Sequence, residues 1–65
     1  MMEKYFNLIL KDIEERRLYI AKALYEGAAK DYSEYRGMCG EIRGLSLAYE
    51  TVEALLRKLE SDDDE

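Results

Sequence analysis

From Tyr35 onward the large apolar residues fall at Tyr35, Met38, Ile42, Leu45, Tyr49, Val52, Leu56 and Leu59, separated by 3, 4, 3, 4, 3, 4 and 3 positions. This spacing predicts one helix whose greasy stripe meets another helix along its length, as in an a/d heptad seam. Leu55 widens the stripe near its end. The N-terminal segment carries a looser version, with Phe6, Ile9, Leu10, Ile13, Ile20 and Leu24 at helical spacing. Glu14-Glu15-Arg16-Arg17 interrupts it. Arg17 stays in line with the stripe, so its stem is expected to pack while its guanidinium reaches water or a carboxylate. No apolar/polar alternation predicts a strand, and no proline forces a break in either segment.

The two segments are punctuated by Gly27-Ala28-Ala29-Lys30. Gly27 can adopt the left-handed conformation that closes a helix. Asp31 suits an N-cap, and Glu34, three residues on, suits a capping-box-like arrangement. The pattern therefore predicts helix 1 over about 2–28, a turn at about 27–31 and helix 2 over about 32–60. Residues 1–60 form a single domain, followed by an acidic flexible tail at 61–65. Fraying is expected after Glu60, because Ser61 and the aspartates are poor helix formers whose charge opposes the negative end of the helix dipole. Matched lengths and a short turn give an all-α fold: an antiparallel two-helix hairpin, coiled-coil-like.

Propensity does not explain Gly37, Gly40 and Gly44, which lie inside helix 2 at a cost of roughly 1 kcal/mol each relative to alanine. With Ala48 and Thr51 they form a small-residue stripe that a helical wheel sets nearly opposite Ile42 and Leu45. Three readings are open: a close contact with another subunit or a foreign protein, a close crossing by helix 1, or a break near Gly37–Gly40 that makes three helices. The first is favoured. Six tyrosines against one phenylalanine add polar-tipped apolar area. Most are expected to cover the rim of a small core; Tyr32 and Tyr35, beside the turn, are the better candidates for partner contact. The candidate interaction face is thus Gly37, Gly40, Gly44, Ala48, Thr51, Tyr32 and Tyr35.

Sixty-five residues support a core worth only about 3–5 kcal/mol, and chains this small usually add disulfides, a metal or a partner. Cys39 is the lone cysteine and histidine is absent, so neither a disulfide within the chain nor the usual zinc shell is expected. Self-association is the remaining route, with two hairpins forming a four-helix bundle. The lone cysteine and the lack of a signal-like leader point to a reducing cytosolic setting. No apolar run approaches the roughly 20 residues of a spanning helix, so no membrane partner is expected.

The net charge of −5 is uneven: residues 1–30 hold six basic and five acidic side chains, residues 31–65 four and ten. That balance opposes nucleic-acid binding. Cys39 lacks the histidine that would activate it and reads as structural. Glu14, Glu15, Glu50 and Glu53 could meet across the hairpin midpoint, but without histidine a paired-metal site is not expected. Pairing with Arg16, Arg17, Arg43 and Arg57 is. No phosphate-binding loop or nucleophile elbow occurs, so no catalytic residue, cofactor or metal is assigned and the chain reads as a non-enzyme.

Residues from Leu24 to about Leu59 resemble small uncharacterised α-helical proteins of tailed bacteriophages. The likeness rests on Leu24-Tyr25-Glu26-Gly27-Ala28-Ala29-Lys30-Asp31-Tyr32, Tyr35-Arg36, Gly40-Glu41-Ile42-Arg43-Gly44-Leu45 and Ala48, with an acidic end. It implies a phage product acting in the cytoplasm of the infected bacterium or in the virion. The function expected is a structural, assembly or protein–protein interaction role, through a self-associating hairpin bound to a larger phage or host protein. The alternative is a small acidic inhibitor of a host enzyme or defence complex.

Overall fold

The computed structural model describes residues 2–63, with side chains as far as Ser61. Helix α1 spans Met2–Tyr25 and α2 spans Tyr32–Asp63. The two helices pack against each other, and among the described residues there is no strand. The chain is a rod of 52 × 15 × 12 Å with a radius of gyration of 15.2 Å. A compact globule of this length would have about 11 Å.

The turn is built from local hydrogen bonds. Gly27, at φ 85°, donates to the Leu24 carbonyl at 3.1 Å, and Ala28 donates to Ala23 at 3.0 Å. These are the two bonds of a Schellman closure, which satisfies carbonyls that a helix end would otherwise leave unpaired. Beyond the turn the Asp31 carboxylate accepts the Glu34 N–H at 2.8 Å. The Glu34 carboxylate in turn accepts the Lys30 N–H at 3.4 Å. The expected cap is therefore present, with the return bond one residue earlier than in the strict capping box.

Both helix ends differ from the sequence expectation. Helix α1 stops at Tyr25 rather than near residue 28, because the closure at Gly27 ends it. Helix α2 continues to Asp63 past the expected fraying point at Glu60. No glycine or proline follows Leu59, and adding a residue to an existing helix costs far less than starting one. Asp64 and Glu65, the rest of the expected tail, lie outside the described residues.

The seam follows the predicted heptads but closes loosely. Among the described residues only Leu10 and Leu56 are buried, at 7% and 9% exposed, and none is completely enclosed. Phe6, Ile13, Ile20 and Leu24 of α1 are half-buried, as are Met38, Ile42, Leu45, Tyr49, Val52 and Leu59 of α2. Tyr35 departs from its seam neighbours at 47% exposed. Arg17 occupies its seam position half-buried, paired to Glu14 on the preceding turn, as its place in the stripe predicted. The Glu14 hydrogen bond and charge push the guanidinium pKa above its usual value, so the cation stays charged at the seam's edge.

Candidate interaction surface

The seam divides the rest of the rod into two flanks, because a residue just before a seam position and one just after it point to opposite sides of the helix pair. On the first flank α1 and α2 enclose an open groove of about 720 Å³. Asp12, Glu15, Arg16, Tyr19 and Ile20 line it from α1; Glu41, Gly44 and Leu45 line it from α2. Helical register extends this flank along α2 through Ala48, Thr51 and Leu55. Leu55 is 53% exposed.

The second flank carries a smaller concavity formed by α2 alone, lined by Tyr32, Tyr35, Arg36, Cys39, Gly40 and Arg43. The Tyr32 and Tyr35 rings stack there, 6.2 Å apart and 21° from parallel. The Tyr35 hydroxyl donates a hydrogen bond to the sulfur of the half-buried Cys39, and this bond, then the thiol's charge, push the phenol above its usual pKa; burial adds to the effect. The seven residues predicted as one face therefore divide. Gly44 opens on the groove shared with α1, whereas Tyr32, Tyr35 and Gly40 belong to the concavity on the other side. Gly37 lines neither hollow. Both readings that explained the glycines internally are overturned: α2 runs unbroken through residues 37–44, and a Cβ built on Gly37, Gly40 or Gly44 meets nothing within 4 Å. All three glycines face open space.

Ala48 is half-buried and Thr51 exposed. The Thr51 hydroxyl donates to the Leu47 carbonyl of its own helix at 2.9 Å, so its donor is already used and the face it offers is close to apolar. Charges on the surface pair locally. Arg16 meets Asp12 at 3.3 Å and Arg57 meets Glu53 at 3.7 Å, all largely or partly exposed. Such pairs contribute little individually. Among the described residues no three His, Cys, Asp or Glu side chains gather as metal ligands. None of the described helices is long and apolar enough to cross a membrane.

Sequence reasoning missed the stripe of α1 that borders the groove. Its signal was a second 3–4 spacing, one residue ahead of the seam, obscured because two charged residues sit in its middle. Compared with known protein families, curated proteins and solved structures, the chain matches none.

Proposed function

We propose that this chain is a non-enzymatic interaction module that works as a pair, two hairpins joining into an antiparallel four-helix bundle that docks onto a larger assembly. The exposed area carries the reading. The hairpin leaves 5419 Å² accessible, whereas a folded monomer of 7.6 kDa exposes about 4,300 Å². The excess, roughly 1,100 Å², exceeds the ~800 Å² that each partner contributes to a stable interface. Two buried side chains among the described residues, Leu10 and Leu56, are also few for a free-standing core. The resemblance of residues 24–59 to tailed-phage proteins supplies the proposed setting: assembly of a phage particle, inside the infected bacterium or in the virion.

Sedimentation equilibrium at low micromolar concentration tests the pairing. The expected mass is twice 7.6 kDa, and a stable single-chain mass would sink the reading. Affinity capture from infected cells tests the setting. Recovery with capsid or tail components supports assembly; salt-sensitive recovery of a host nucleic-acid enzyme instead would favour an acidic inhibitor.

A further inference from the structure

The flank of α1 beside the groove has a repeat of its own: Met2, Tyr5, Ile9, Asp12, Arg16, Tyr19 and Ala23, spaced 3, 4, 3, 4, 3 and 4. From Tyr5 onward each lies one position ahead of Phe6, Leu10, Ile13, Arg17, Ile20 and Leu24; Ile9, which its spacing had placed on that inner stripe, is 45% exposed and belongs to the outer one. Its large apolar members are left out of the hairpin, Tyr19 at 77% exposed and Tyr5 at 63%. A 3–4 apolar repeat marks a helix that lies along another helix, and α1 has no such neighbour on this side. From Tyr5 to Ala23 the spacing is 4, 3, 4, 3, 4, the same read from either end.

We propose that a second copy of this chain docks antiparallel along this stripe, about a two-fold axis level with residue 14. In that register Ile9 meets the second copy's Tyr19, Tyr5 meets its Ala23, and the Asp12–Arg16 pair of each chain lies against its counterpart, so that Asp12 also meets the second copy's Arg16. Every contact is made twice, as an isologous interface requires. Charge selects the register. A parallel arrangement sets Asp12 on Asp12 and Arg16 on Arg16, which repel. A slip of one heptad sets Asp12 against Ile9 or Ala23 and loses both ion pairs. Helix α2 conforms to the same axis. Ile20 of α1 and Leu45 of α2 line the groove together, so in the antiparallel hairpin the axis crosses α2 near Thr51 and brings the exposed Leu55 over the second copy's Ala48. The excess area already given is what such a contact has available to cover.

The inference rests on the pairing proposed above, and charge reversal separates the two. Asp12→Arg and Arg16→Asp are each expected to weaken the dimer roughly 10- to 100-fold, with helicity retained by circular dichroism. Mixing the two variants should restore it, because every reversed charge then meets its opposite. A second measurement is independent of those variants. In a Cys39→Ser background, Ile9→Cys and Tyr19→Cys chains are mixed and oxidised, and the expected product is a disulfide-linked pair containing one of each. A single-chain mass for the unaltered protein overturns both proposals. A dimer that survives both reversals, a mixture no tighter than its components, or absence of the mixed cross-link overturns this register alone.

Discussion

Between Leu24 and Tyr35 the chain is held by directional bonds at specified atoms. The seam that joins the helices is held by half-covered side chains. In the turn, one positive-φ glycine, two Schellman bonds, the Asp31 cap on the Glu34 N–H and the return bond from Lys30 N–H to Glu34 fix where α1 stops and α2 starts. Along the seam, among the described residues, only Leu10 and Leu56 are buried. The turn sets topology at a cost borne by a few residues, while stability depends on a stripe that one hairpin cannot cover. A rod of two helices has a single contact line, so each helix buries one side and leaves the rest in water. Covering more needs another surface.

The largest expected effect comes from the seam. Leu56→Ala should cost about 2–5 kcal/mol, comparable to the roughly 3–5 kcal/mol that a core of this size supplies. The variant should be largely unfolded when dilute and, if two hairpins pair as proposed, regain helicity as concentration rises, since association stabilises by mass action. Circular dichroism across a hundredfold concentration range measures this. Leu55→Ala, one residue away but 53% exposed, sharpens the contrast: dilute helicity should barely change. Equal losses in the two variants would mean that burial within one hairpin does not set its stability.

Gly27→Ala probes the turn with a smaller effect. An added Cβ at Gly27 meets nothing within 4 Å, so the penalty is purely that of an L side chain at φ 85°, about 1–2 kcal/mol. For a domain this small each kcal/mol lowers Tm by about 4–8 °C, and thermal denaturation reads it directly. The lowered Tm should be seen at every protein concentration, unlike the Leu56→Ala defect. A Tm unchanged by the substitution would show that the left-handed closure is dispensable.

The same contrast explains what could be read in the sequence. The cap and the closure were legible because each is chemistry among residues within five positions: a carboxylate three residues ahead of an N–H, or a glycine just past the last apolar position. The heptad stripe from Met38 to Leu59 was legible because periodicity survives without knowing the partner. The far end of α2 was misjudged since propagation, a property of the helix already formed, outweighed the poor local propensity of Ser61 to Asp63. The candidate surface was legible in its members and not in its arrangement. Tyr32 and Tyr35 neighbour Gly37 along the chain, yet they lie on the flank away from the groove at Gly44. A wheel drawn against the seam alone measures distance from it and does not say which side of the second helix lies nearby.

Glycines within α2 give the smallest expected effect and the finest test. Gly37→Ala should stabilise the helix by about 0.8–1 kcal/mol, because the new methyl enters open space and the unfolded chain loses freedom. Gly44→Ala meets equally open space within its own chain, so in dilute solution it should gain as much. The two positions differ in surroundings: Gly44 lines the groove between the helices, and Gly37 lines neither hollow. If a second hairpin approaches the flank at Gly44, the added methyl there should raise the dissociation constant while the Gly37 variant leaves it unchanged. Sedimentation of both variants, beside their dilute melting curves, separates helix propensity from contact. Equal stabilisation with no change in dimer affinity for either would leave the missing Cβ at position 44 without a role in association.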